Sequence, residues 1–119
     1  MEKSELKPRY IEGKGIFIPV INKVLAMKDS YNGKCVTWEE AVKAGAFSKE
    51  DAYIIMYFKD EINRLLKKNG GEPLDDDWYW TSTQYSAAYA WYLLTFNGNM
   101  TTTSKPNYNR VRAVSALEI

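Results

Sequence analysis

Residues Trp78 to Arg112 read WYWTSTQYSAAYAWYLLTFNGNMTTTSKPNYNRVR. This stretch holds nine of the chain's seventeen aromatic residues and not one carboxylate, although the chain carries fifteen Asp and Glu. Its β-branched and aromatic runs, WYWTST, AWYLLTF, NMTTTS and the following RVRAVSAL, predict four short strands. Asn97-Gly98 falls between the second and third, and an Asn-Gly pair tolerates positive φ at both positions, so a tight hairpin is expected there. The C-terminal third, residues 78–119, thus predicts an antiparallel β meander.

Outward from this stretch the chemistry changes. Twenty-seven of the thirty-one charged residues lie before Trp78, and Trp78 to Leu117 contain only Lys105, Arg110 and Arg112. Residues 36–77 predict two helices and a loop. Thr37 and Glu40 have capping-box spacing, so a short helix should run from Trp38 to about Ala44, closed by Gly45. Ser48 should cap a second helix, with Glu50 and Asp51 at its positive end, Lys67 and Lys68 at its negative end, and Asn69-Gly70-Gly71 as its stop. Ile55, Phe58, Ile62 and Leu65 recur three and four residues apart, which sets a core-facing stripe. Residues 1–35 predict strands and turns, with GIFIPV and KVLAM as a hairpin and Pro19 at a strand end. At 119 residues the chain predicts a single domain, 1–119, of class α+β.

Composition also excludes. Without histidine, Ser/His/Asp and Cys/His nucleophile systems and imidazole metal sites cannot be built within the chain. Cys35 stands alone, so it forms no internal disulfide and supplies no structural zinc site. A net charge of +1 gives no field to steer nucleic acid. No secretory signal or membrane span is legible in the N-terminal residues, whose apolar runs are interrupted by charges. Asp75, Asp76 and Asp77 are consecutive, which does not converge oxygens on one calcium ion, and they read as a solvated loop. No carboxylate pair falls in the aromatic region, so a non-enzymatic protein without cofactor or metal is expected.

Two explanations compete for the aromatic stretch. Sheet packing accounts for Trp80, Trp91, Leu93 and Val111 as core residues. It does not account for an outer face built of Tyr, Thr, Ser and Asn where Lys and Glu are usual. Tyr offers rigid apolar area at low entropy cost, and Ser, Thr and Asn offer adaptable hydrogen bonds, the composition of antibody paratopes. Interface cores are depleted of charge for the same desolvation reason.

WYWTSTQYSAAYAWYLLTFNGN, MTTTSKPNYN and the closing RVRAV resemble the C-terminal region of the variable proteins of diversity-generating retroelements. VTWEEAVKAG and the helix ending KKNGGEPL extend the likeness over Val36 to Leu117. The resemblance implies a C-type lectin-like fold, two helices packed on antiparallel strands, and a hypervariable face diversified by adenine-directed reverse transcription. It further implies recognition of a macromolecular ligand, a protein in the first reading, with display on a cell surface or phage particle. By position, Trp80, Ser82, Trp91, Arg110, Val111 and Arg112 match the scaffold. Ser86, Ala88, Tyr89, Tyr92, Leu94, Asn97, Asn99, Thr101, Thr102, Thr103, Asn107 and Tyr108 fall where diversified, ligand-binding residues stand. Adenine replacement in an Asn codon cannot yield Lys, Glu, Gln, Met or Trp. Of the twenty-five residues from Tyr85 to Asn109, only Trp91, Met100 and Lys105 are of those types, against roughly five for ordinary composition. Glu72-Pro73-Leu74 lacks the amide of the Glu-Pro-Asn calcium motif of true C-type lectins. Thr95 stands where strand alternation expects an aromatic, which predicts a bulge or shifted register at Thr95-Phe96. A glycan-binding module and a structural or assembly domain are the alternative functions.

Overall fold

The computed structural model describes residues 6–74 and 76–117, so Met1 to Glu5, Asp75, Glu118 and Ile119 lie outside the described residues. It is an α+β protein with two antiparallel sheets and, among the described residues, three α-helices.

The first sheet contains the predicted hairpin of GIFIPV and KVLAM, with one further strand before it. Strand β1 (Arg9–Ile11), strand β2 (Gly15–Ile18) and strand β3 (Lys23–Leu25) pair in order, β2 stopping before Pro19. Strand β3 is shorter than the KVLAM run. Gly15 is required at the start of β2: its φ is +140°, and a Cβ there would sit 2.4 Å from the Leu25 carbonyl oxygen.

Helix α1 (Trp38–Ala44) has the predicted bounds. Its first turn is closed by the Glu40 carboxylate, which accepts from the Thr37 backbone N–H at 3.3 Å and from the Thr37 hydroxyl at 3.0 Å. Gly45 at φ +90° ends it. The expected second helix is two helices. Ser48 Oγ accepts from the Asp51 N–H at 3.0 Å and opens α2 (Lys49–Tyr57), but Phe58 leaves helical geometry at φ −101°, ψ 16°, and α3 (Lys59–Lys68) follows. No Gly or Pro causes this break. Phe58 packs on the core and Lys59 Nζ donates to the Thr95 carbonyl at 2.5 Å, and these tertiary contacts flank the bend. Ile55, Ile62 and Leu65 are buried together with Leu66, as a core stripe should be.

The second sheet contains β4 (Trp78–Gln84), β5 (Tyr89–Leu94) and β6 (Asn99–Ser104), in that order. The predicted four-strand meander ends here at three. The last strand, β7 (Val114–Ala116), pairs instead with β3 through Lys23↔Ala116 and Leu25↔Val114, so the chain's end closes the first sheet. A strand's partner is set by tertiary burial as much as by sequence neighbourhood, and Val114 packs against the main core. The β5–β6 connection is a four-residue turn, Thr95 to Gly98, in which only Gly98 takes positive φ, at +77°. Its N–H donates to the Leu94 carbonyl at 2.8 Å.

The expected irregularity at Thr95 also moves. Strand β5 pairs evenly with β6 through Leu94, and the register shift lies in β4 between Trp80 and Gln84. Thr95 is buried in the turn, where its hydroxyl accepts from the Asp77 N–H at 2.9 Å and donates to the Asp77 carbonyl at 3.0 Å. That position therefore needs a small hydroxyl residue.

Candidate functional site

Pairing sorts the second sheet into two faces. Tyr79 opposite Leu93, and Leu93 opposite Met100, share the face that packs on the main core. Trp80 opposite Tyr92, and Tyr92 opposite Thr101, share the other face. The second face is only partly covered. Trp80 and Ala90 are buried with Val36, Ala41, Ala46 and Val111, so α1 and the C-terminal segment close that end. Trp80 Nε1 donates to the Val36 carbonyl at 2.7 Å, which satisfies its one polar atom.

Trp91 is a correction. It was expected in the core with Trp80, Leu93 and Val111, but it is only half-buried. It lies on the main-core side beyond Leu93, with Lys49 Nζ 4.2 Å over its ring and Tyr85 edge-on at 5.6 Å.

A charge cluster locks the frame from behind. Arg112 is 0% exposed; its Nε donates to Asp29 Oδ1 at 2.7 Å and its Nη1 to the Ala26 carbonyl at 3.1 Å. The Tyr79 hydroxyl lies 3.0 Å from each Asp29 oxygen, and Arg110 Nη1 lies 3.4 Å from Oδ2. Arg110 Nε also pairs with Asp77 at 2.9 Å, and Asp76 pairs with Lys59 at 3.2 Å. Burial, and then the Asp29 carboxylate, push the Tyr79 phenol well above its ordinary value, while Arg112 pulls the other way. Burial is the largest single influence on Arg110 and works against its charge, but Asp77, Tyr79 and Asp29 together outweigh it and hold its pKa up. Sequence reading placed both arginines in the scaffold but missed Asp29, whose loop setting between Lys28 and Ser30 gives no sign of burial. Among the described residues no group of three or more His, Cys, Asp or Glu is arranged to hold a metal ion.

The twelve expected ligand-binding positions separate by register. Tyr92, Leu94, Asn99, Thr101 and Thr103 lie on the partly covered face, and Thr102 and Tyr89 lie on the opposite one. Ser86 and Ala88 are exposed in the β4–β5 loop, and Asn97 is exposed at the β5–β6 turn. Asn107 and Tyr108 come back onto the partly covered face. Their loop is fixed at both ends: the Lys105 carbonyl accepts from the Trp38 N–H at 3.0 Å, and Val36 and Asn109 exchange bonds at 2.9 and 3.0 Å. Asn107 Nδ2 donates to Thr103 Oγ1 at 2.5 Å.

The result is a cleft of about 230 Å³ lined by Trp78, Tyr92, Thr103, Asn107, Tyr108 and Asn109. Four of these were expected; Trp78 and Asn109 were not. Strand period offered the signal for Trp78, since it stands two residues before Trp80 and so shares its face. Trp78 is 50% exposed and Tyr108 67%. The rings of Trp78 and Tyr92 are 5.8 Å apart, and Trp80 backs Tyr92 edge-on at 6.4 Å.

Among the described residues no charged side chain lines this cleft. The region's one lysine, Lys105, is held elsewhere, donating to Gln84 Oε1 at 2.8 Å and to the Ala87 carbonyl at 2.9 Å while lying 4.5 Å over the Trp38 ring. The larger, open cleft of about 410 Å³ beside Trp38 and Lys105 contains none of the expected positions. No helix among the described residues is long and apolar enough to cross a membrane. Neither protein-family models nor curated proteins match this chain.

Proposed function

We propose that this protein is a non-enzymatic recognition protein that displays an exchangeable Tyr/Ser/Thr/Asn face on a C-type lectin-like scaffold. In this reading the face is diversified by a retroelement and binds a macromolecular ligand, a protein carried on a target surface. The observation that carries the reading is the separation of two residue sets within one segment. Trp80, Val111 and Arg112 are fully buried, whereas Ser86, Ala88, Tyr89, Asn97, Asn99, Asn107 and Tyr108 are all exposed. Substitution at the second set leaves the core untouched, which is what a diversified surface requires.

Neutrality supports the same reading. A face that meets many partners gains from having no charge that a given partner would leave buried and unpaired. The balanced charge of the chain, +1 overall, argues against nucleic acid as the ligand.

Sequencing the locus tests the retroelement origin. A near-identical non-coding repeat of the gene's 3′ end is expected beside a reverse transcriptase gene, with mismatches confined to template adenines. The differing codons should include those of Asn97, Asn99, Asn107 and Tyr108. Sister genes that differ evenly along their whole length would refute diversification.

A further inference from the structure

The lining of the Trp78 cleft includes an unusual group. Asn109 is only 3% exposed, and its backbone N–H and carbonyl are both taken by Val36. Among the described residues its side-chain amide has no hydrogen-bond partner. Yet no fully buried polar side-chain atom among the described residues lacks a partner, so the amide keeps its small exposure where Asn109 lines the cleft. An amide, with N–H donors and one carbonyl acceptor, is thereby held among lining residues of which three are aromatic, and leaving such a group without a partner is costly.

We propose that this cleft is a subsite for one pyranose unit of a glycan carried by that target-surface protein. The proposal rests on the binding-face reading and names the chemistry that one part of the face accepts. Four observations select a sugar. The cleft of about 230 Å³ is smaller than drug-sized sites, which run to roughly 300–1,000 Å³, and has room for a single ring. Trp78, Tyr92 and Tyr108 offer apolar ring surface to the C–H face of a pyranose. The Asn109 amide, with Thr103 and Asn107 beside it in the lining, offers donors and acceptors to vicinal hydroxyls, whereas an aliphatic side chain would leave the amide unpaired. Among the described residues no charge lines the cleft, which also suits a neutral ligand. In this arrangement Trp78 and Asn109 form a fixed pair, and the diversifiable Tyr92, Thr103, Asn107 and Tyr108 set which sugar is preferred.

The test is a titration of the ¹⁵N-labelled full chain with the methyl pyranosides of glucose, galactose, mannose and N-acetylglucosamine. At least one is expected to shift the Trp78 indole N–H and Asn109 amide signals saturably, with a dissociation constant on the order of 1 mM. Tyr108→Ala and Asn109→Ser should each weaken that binding about tenfold. Tyr108 is mostly exposed, so its variant keeps the fold even if the Asn109 variant does not. The proposal is overturned if no pyranoside moves these signals at up to about 50 mM, well above millimolar affinity. It is equally overturned if N-acetyltyrosinamide moves them and no pyranoside does, or if the shifts persist undiminished in Tyr108→Ala. None of these outcomes touches the locus test, so the subsite can fail while the exchangeable face stands.

Discussion

Replacing Arg112 with Met is expected to lower unfolding free energy by about 3–5 kcal/mol, and Asp29→Ala by a similar amount. Each change strands a buried charge. Arg112 is fully buried, and its guanidinium reaches Asp29 Oδ1 at 2.7 Å, the Ala26 carbonyl at 3.1 Å and the Pro73 carbonyl at 3.4 Å. Those partners come from two separate parts of the chain, so the side chain ties the C-terminal segment to the stretch that follows β3 and to the loop before β4. Without it, Asp29 keeps Tyr79 and the more distant Arg110 at 3.4 Å. An exposed pair would contribute at most about 1 kcal/mol, so the measurement separates the two cases. A domain of this kind has roughly 5–15 kcal/mol in total, so one substitution removes a large part of it. Urea unfolding should show a lowered midpoint at unchanged slope. The double variant Asp29→Leu with Arg112→Met should cost less than the two single changes added together, because neither charge is then left alone.

Trp80→Ala is expected to cost about 3–5 kcal/mol in the same assay, from lost burial and the cavity left behind. Trp80 is wholly buried and packs against Ala41 of α1, Val111 and Tyr92, so it joins the helix, the C-terminal segment and the wall of the cleft. Trp80→Phe isolates the polar part of the effect. The ring is mostly replaced, but the 2.7 Å bond to Val36 is lost, and a loss of roughly 1–2 kcal/mol follows. The Val36 carbonyl still accepts from the Asn109 N–H at 3.0 Å, which keeps that figure below a full orphan penalty. A Trp80→Ala protein with unchanged stability would mean that the second sheet is not anchored through this residue.

What was legible in the sequence was mainly local. Thr37, Glu40 and Gly45 bound α1 through side-chain and backbone geometry within one turn of the chain, so the expected and observed limits agree. The strands β4, β5 and β6 follow from β-branched and aromatic runs, and the Ile55, Ile62 and Leu65 stripe follows from helical period. What was not legible depended on distant partners. Strand β7 joins β3 across the length of the chain, and no pattern within RVRAVSAL names that partner. The bend at Phe58 has no Gly or Pro signal and is flanked by contacts to the core and to Thr95. Asp29 reads as a turn residue until Arg112, 83 positions later, is placed against it. At the site, Tyr92, Thr103, Asn107 and Tyr108 converge as expected. Thr102 and Tyr89 fall on the other side of the sheet, because strict alternation through β5 and β6 divides neighbouring positions between faces.

The central claim is that a fixed frame carries an exchangeable face, and one comparison of unfolding free energies tests it. Ser86, Ala88, Tyr89, Asn97, Asn99, Asn107 and Tyr108 are all exposed and would be replaced together by other residues that adenine-directed change can reach. Surface substitutions away from core and charge networks usually fall within about ±0.5 kcal/mol each. The sevenfold variant should therefore lose less stability in urea than the single Arg112→Met protein, whose expected loss is about 3–5 kcal/mol. If the seven surface changes cost more than that one buried change, the face is part of the frame and the account is wrong.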